Sequence, residues 1–139
     1  MSFPEVVHCL ICEDIRPEPH KKLSVLGFYG VSPDVTIRVQ HFNKPIDRLA
    51  FLFIVGPCEA IKVTLVAELR RSGGSPIKLV DGVSMNIPKN PTRAHLTFAF
   101  TNVTFESPDD YAFVLNIDGK DFYSAAFRVE QGGPSEFKE

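Results

Sequence analysis

A period of two in the hydrophobic pattern, interrupted by prolines along the chain, is the feature that most constrains the fold. Successive side chains of a strand point to opposite faces of a sheet, so this period indicates strands with one buried face. The clearest alternations lie in segments 35–40, 95–101 and 111–118. The eleven prolines leave little room for long helices, because a proline inside a helix costs about 3 kcal/mol. The sequence therefore predicts an all-β fold.

Turn residues divide the chain into eight or nine short segments. Asp118-Gly119 suits a tight hairpin turn, and the Ser-Gly-Gly-Ser-Pro stretch at 72–76 indicates a second hairpin. Segment 60–71 also has helical spacing, but its β-branched residues favour a strand. The predicted strands lie near residues 4–12, 22–31, 34–40, 48–55, 60–71, 77–87, 93–105, 109–118 and 121–130. This number of strands predicts an antiparallel β-sandwich of immunoglobulin-like appearance, with a closed β-barrel as the alternative.

The composition is that of a single soluble domain. The chain has 139 residues, of which 44% are hydrophobic and 12 are Phe, which is enough to fill a core and excludes general disorder. We assign residues 1–131 to one β-sandwich domain and residues 132–139 to a polar C-terminal tail. The 15 basic and 17 acidic residues leave no basic excess, which argues against nucleic-acid binding.

The N-terminus, the longest apolar run and the cysteines together predict a cytoplasmic protein. The N-terminus has neither a basic region nor a long apolar stretch, so no secretory signal is recognised. The longest apolar run is far shorter than the roughly 18 residues that span a bilayer, so we expect no membrane contact. An odd number of cysteines, three, fits free thiols in a reducing compartment.

The densest group of potential metal ligands lies between residues 8 and 14. A Cys-x-x-Cys pair can hold zinc or act in redox chemistry, and His8, Cys9 and Cys12 are the candidate ligands. On a strand, however, Cys9 and Cys12 would face opposite ways, and Cys58 supplies only one further thiol. We therefore favour cysteines that act as small hydrophobic residues. A metal-binding protein or enzyme centred on this segment is the alternative.

A turn predicted at residues 13–17 carries the candidate binding residues Glu13, Asp14 and Arg16. Less polar residues could meet the needs of a turn, so these side chains are our candidates for a functional surface. The competing interpretation is that Arg16 pairs with nearby acids and only fixes the turn. If that interpretation is right, an Arg16→Ala substitution lowers the melting temperature and leaves partner binding intact.

Sequence motifs of catalysis are not found. The chain has neither a Gly-x-Ser-x-Gly elbow nor a phosphate-binding glycine loop, and its histidines are dispersed. We therefore name no catalytic residue and no cofactor, and favour a binding module over an enzyme. Tyr111 follows Pro-Asp-Asp and resembles the corner tyrosine of sandwich folds, a structural role.

The run Leu49–Val55 is apolar on both faces, whereas one face of an antiparallel sheet normally meets water. Ala50, Leu52 and Ile54 are left for a second surface. Another part of the chain, at 34–40 or 78–88, or a second subunit could cover them. We expect a homodimer that is built partly from this face or from an adjacent edge, because leaving the face in water would favour aggregation. An unknown protein partner is the other candidate.

Two segments resemble the opening of a family of small uncharacterised bacterial proteins, a domain of unknown function. They are Cys-Glu-Asp-Ile-Arg-Pro-Glu at 12–18 and Lys-Leu-Ser-Val-Leu-Gly-Phe-Tyr-Gly at 22–30. Segments 111–113 and 117–119 agree more loosely, and His20-Lys21 replaces the small turn residues of the family pattern. The resemblance implies a cytosolic β-sandwich without an assigned activity, so no catalytic residues are carried over.

Overall fold

The computed structural model describes residues 5–132, which form nine strands and one short 3₁₀ turn at Pro19–Lys21. The predicted tail therefore lies outside the described residues, apart from Gly132. Within the same range, no helix is long and apolar enough to cross a membrane. The strands are β1 (Val6–Glu18), β2 (Lys22–Val31), β3 (Thr36–Val39), β4 (Pro45–Val55), β5 (Ile61–Arg71), β6 (Ile77–Ile87), β7 (Ala94–Thr104), β8 (Asp109–Ile117) and β9 (Lys120–Gln131).

The strands form two sheets, which confirms the predicted β-sandwich. The four-stranded sheet has the order β2-β1-β4-β7, and the five-stranded sheet has the order β3-β9-β8-β5-β6. Neighbouring strands are antiparallel except β3 and β9, which pair in parallel at one edge. Among the described residues no strand pairing joins the two sheets, so the closed barrel is wrong.

Aromatic side chains fill the space between the sheets. Phe51 of β4 and Phe113 of β8 are both fully buried, and their rings stack with centroids 4.1 Å apart. Phe53 meets the ring of Tyr123 edge-on at 5.3 Å. Aromatic pairs in such arrangements add to the stabilisation that burial of apolar area provides. These contacts hold the two sheets together.

The predicted local features of the C-terminal hairpin are present. Asp118 and Gly119 have φ values of 51° and 89°, as the tight turn between β8 and β9 requires. The hydroxyl of Tyr111 donates a hydrogen bond to the Ser107 carbonyl at 3.1 Å, which confirms the corner tyrosine.

The turn predicted at residues 13–17 is wrong. β1 continues to Glu18 and pairs with β2, and the chain reverses at Pro19–Lys21, where His20 has a φ of 62°. Pro17 is tolerated because the register of β1 with β4 ends at Cys12, so Pro17 has a paired strand on one side only.

Candidate functional site

The outer face of the four-stranded sheet is apolar across its width. Leu10 and Leu52 are direct neighbours on β1 and β4, and so are Cys12 and Ala50. β2 and β7 extend both pairs, so two adjacent rows cross the sheet. The rows are Val31–Leu10–Leu52–Thr97 and Phe28–Cys12–Ala50–Ala99. We call these eight residues, together with Leu26, the outer apolar face.

Exposed hydrophobic area on this face is concentrated on β2. Five large hydrophobic side chains are exposed among residues 5–132, and three belong to β2: Leu26 at 37%, Phe28 at 55% and Val31 at 40%. Removing apolar area from water gains about 25 cal/mol per Å². A contiguous exposed apolar patch is therefore typical of an interaction surface.

The predicted interface residues lie on this face but are not its exposed part. Ala50 and Leu52 are 0% and 5% exposed, and Ile54 is half-buried. The residues that sequence reasoning missed are those of β2. A signal was present, because the stretch 25–31 has no charged or hydroxyl side chain except the tyrosine at 29, much as the run Leu49–Val55 is apolar.

The segments expected as possible internal cover lie elsewhere. β3 occupies one edge of the five-stranded sheet and β6 the opposite edge of the same sheet. Both are therefore separated from the outer apolar face by the thickness of the sandwich. The interpretation that segments 34–40 or 78–88 cover this face is wrong.

The outer face of the five-stranded sheet is charged instead. Arg70 donates hydrogen bonds to both carboxylate oxygens of Asp121, at 2.7 and 3.0 Å, and also contacts Glu68. Arg128 donates to Asp110 at 2.9 Å. This sheet also exposes Phe122, at 38%, but beside ion pairs, whereas three neighbouring exposed hydrophobic side chains lie on β2 of the other sheet.

A small charged cluster ends the outer apolar face next to Leu26. Asp14 Oδ2 accepts a hydrogen bond from Arg48 at 2.9 Å and lies 3.6 Å from Nε of Arg16, while Oδ1 accepts the Ile15 N–H at 2.9 Å. The Asp14 side chain is 11% exposed, whereas those of Arg16 and Arg48 are 65% and 57% exposed. Burial raises the pKa of Asp14, but the hydrogen bond from Ile15 and the charge of Arg48 outweigh it and lower that pKa below its usual value.

The structure brings Asp14 and Arg16 together, as the predicted site requires, and adds Arg48, which sequence reasoning missed. Glu13 lies on the opposite face of β1 because side chains alternate along a strand. Its side chain packs over Gly27, which has a φ of 61°. Burial, with the negative charge of Glu13, raises the pKa of Tyr29 to about 12.

An open groove of about 590 Å³ adjoins this cluster. Its walls are the β1–β2 hairpin and the β3–β4 connection, so residues far apart in sequence meet there. Glu13, Asp14, Arg16 and Arg48 all border it. The volume falls in the range of small-molecule sites.

The candidate metal ligands do not converge. Cys9 belongs to the core between the sheets, Cys12 lies on the outer face, and His8 is exposed. Burial raises the pKa of Cys9 to about 12 and that of Cys12 to about 11, with nearby negative groups adding to both shifts. Protonated thiols are poor ligands and nucleophiles. In the described part of the chain, no group of three or more His, Cys, Asp or Glu residues could hold a metal ion.

Comparison with known proteins gives a family without an assigned role. Residues 8–130 match the model of a family of unknown function (DUF6941), which extends over nearly all of the sandwich. No curated protein and no solved structure matches the chain. The expected resemblance to a domain of unknown function is confirmed at that level.

Proposed function

The chain belongs to a family of unknown function, DUF6941, and we propose that it is a non-enzymatic binding module that associates with a second copy of itself through the outer apolar face. The observation that carries this proposal is the exposure of Leu26, Phe28 and Val31 beside the buried outward residues of β1 and β4. Water contact at these three side chains is unfavourable in the monomer. A second copy that covers them removes that cost.

The size of the face supports a protein partner. Strands lie about 4.8 Å apart and side chains of one face about 6.8 Å apart along a strand, so four strands and two rows cover roughly 260 Å² in projection. A stable complex buries about 800 Å² on each partner, with an apolar centre and a polar rim. The outer apolar face would supply the centre, about a third of that area, and the surrounding polar side chains would form the rim.

The chemistry of the face supports a second copy as that partner. The two rows that form the face carry no charged residue, so two copies can meet there without like-charge repulsion. Sheets pack face to face at about 10 Å, and two-fold symmetric contacts of one surface with itself are the commonest kind. A two-fold axis that lies between the two sheets and runs perpendicular to the strands would reverse the strand direction in the second copy. The Arg16 and Arg48 ends of the two copies would then lie far apart.

The finer assignments made from the sequence belong to the same proposal. We infer a cytoplasmic setting, which is supported by three free cysteines, two of them fully buried. The bacterial origin that we also infer is supported only by the family resemblance of segments 12–18 and 22–30. We also infer an immunoglobulin-like arrangement. It is supported by the sandwich of antiparallel sheets and by the corner tyrosine Tyr111.

A matched pair of valine substitutions tests the proposal. Val31 on β2 is 40% exposed and Val83 on β6 is 52% exposed, so glutamate replaces a surface valine in both cases. Light scattering at about ten micromolar should give a dimer mass for the wild type and Val83→Glu, because that concentration populates a dimer of micromolar affinity. Val31→Glu should give the monomer mass, since it puts a charge into the interface.

Phe28→Glu provides a second variant of the same face, at 55% exposure. It should also be monomeric, and circular dichroism should show that both variants keep the wild-type spectrum. A wild type that is strictly monomeric would overturn the proposal. A dimer that survives both Val31→Glu and Phe28→Glu would place the interface elsewhere, for example at the β2 edge.

A further inference from the structure

Two arginines share one carboxylate at the end of the outer apolar face. A guanidinium has one positive charge and five N–H donors, while Asp14 supplies a single negative charge. Asp14 Oδ2 is the atom that both Arg16 and Arg48 approach. The three side chains therefore carry one uncompensated positive charge and several N–H donors that Asp14 does not accept.

The carboxylates next to this cluster cancel only part of the positive charge around the groove. Glu13 and Asp47 also border the groove, although alternation places them on the opposite strand face from Arg16 and Arg48. Glu18 shares the face of Arg16, but it accepts a hydrogen bond from Ser24 at 3.1 Å and stands opposite Lys22 in the register.

The groove beside the cluster is basic, although the whole chain has a net charge of −2. Its opposite wall, in the β3–β4 connection, contributes Lys44 and His41, and Leu26 and Ile46 provide apolar lining. In total, four Arg and Lys side chains and His41 border the groove, against three carboxylates; the residues are Arg16, Arg38, Lys44 and Arg48, and Glu13, Asp14 and Asp47. The basic ones on the cluster side are held in place by a buried carboxylate, which lowers the entropy cost of binding an anion between them.

From this geometry we propose that the groove binds a small anionic molecule, whose phosphate or carboxylate group lies between the guanidinium groups of Arg16 and Arg48. The planar guanidinium fork matches both kinds of head group and can bind either through two parallel hydrogen bonds. Leu26 and Ile46 would contact the apolar part of the ligand. The site adjoins the self-association surface at Leu26, which borders both, but Arg16 and Arg48, which would hold the anion, lie outside the outer apolar face.

An NMR titration of the full-length ¹⁵N-labelled protein tests the site, with inorganic phosphate and succinate as separate probes. We expect saturable shifts at the Ile15 amide and at the Nε–H groups of Arg16 and Arg48 with at least one probe. The probe that binds more tightly identifies the preferred head group. Arg16→Gln and Arg48→Gln should each weaken binding about tenfold, because each removes charged hydrogen bonds to the anion.

Arg70→Gln is the matched control, since Arg70 is also ion-paired but lies on the five-stranded sheet. It should bind the probe with wild-type affinity. If Arg48→Gln does not fold, Arg16→Gln carries the test. The Arg16 side chain is 65% exposed, and its substitution removes only the ion pair between its Nε and Asp14 Oδ2, which lie 3.6 Å apart. The proposal is overturned if neither anion saturates, if Arg16→Gln binds as the wild type does, or if Arg70→Gln weakens binding equally.

Discussion

At the scale of single residues, Asp14 organises the charged end of the outer apolar face. Its side chain is buried, and it accepts hydrogen bonds from the Ile15 backbone amide and from Arg48. Its pKa is lowered in the folded state, so its charge stabilises the fold at pH values above its ordinary pKa. That stabilisation is lost as the pH falls through the lowered pKa.

This gives a pH-dependent prediction for Asp14→Asn, which removes the charge and keeps a side-chain oxygen. At pH 7 the variant should melt at a lower temperature than the wild type, and the difference should shrink below about pH 4. Thermal unfolding followed across this pH range measures it. Asp109 and Asp121 also have lowered pKa values, but they titrate in both proteins and cancel in the comparison. A difference that is independent of pH would exclude an ionic role for Asp14.

The cysteines provide a second prediction at this scale. Cys9 and Cys12 are fully buried and have raised pKa values, whereas Cys58 is partly exposed. Because the thiolate is the reactive form, we expect one of the three thiols to react rapidly with a disulfide reagent in the native protein. All three should react after unfolding. Rapid native reaction of Cys9 or Cys12, located by mass spectrometry, would contradict the packing described for β1.

At the scale of elements, β2 has at one position a left-handed backbone conformation that favours glycine. Gly27 has a φ of 61°, and a Cβ atom there would lie 2.5 Å from Cδ of Glu13. Gly82 on β6 has a similar φ of 72°, but open space surrounds it. The two glycines therefore separate the cost of backbone conformation from the cost of a steric clash.

We expect Gly82→Ala to lower the free energy of unfolding by about 1–2 kcal/mol, the cost of a left-handed conformation. Gly27→Ala should lower it by about 0.5 kcal/mol more, because the added methyl group forces the exposed Glu13 side chain out of its rotamer. Urea unfolding of both variants measures the difference. Adding Glu13→Ala to Gly27→Ala should remove the excess. Equal losses in the two single variants would show that Glu13 does not press on Gly27.

At the scale of the whole molecule, local pattern predicted the strands well and their mutual arrangement poorly. Alternation and turn residues gave the sandwich, and they placed most strand boundaries within a few residues of those observed. The error at residues 13–17 arose because charged residues and a proline resemble a turn, whereas pairing with β2 keeps them extended.

The candidate site was predicted in part for the same reason. Asp14 and Arg16 are near neighbours in sequence, but Arg48 reaches Asp14 only through the register of β1 with β4. A period of two does not encode which strands become neighbours. The exposed residues of β2 were visible as an apolar stretch, yet their place beside Leu10 and Cys12 depends on the pairing of β1 with β2.

The central claim is that the outer apolar face binds a second copy of the chain, and hydroxyl-radical footprinting of the wild type tests it most directly. Phe28 and Phe122 are exposed phenylalanines at 55% and 38%, one on each sheet, so each reports on one side of the molecule. Raising the concentration from about 1 to about 100 micromolar populates a micromolar dimer by mass action. We expect the oxidation rate of Phe28 to fall and that of Phe122 to stay constant. An oxidation rate of Phe28 that does not change with concentration would contradict the claim.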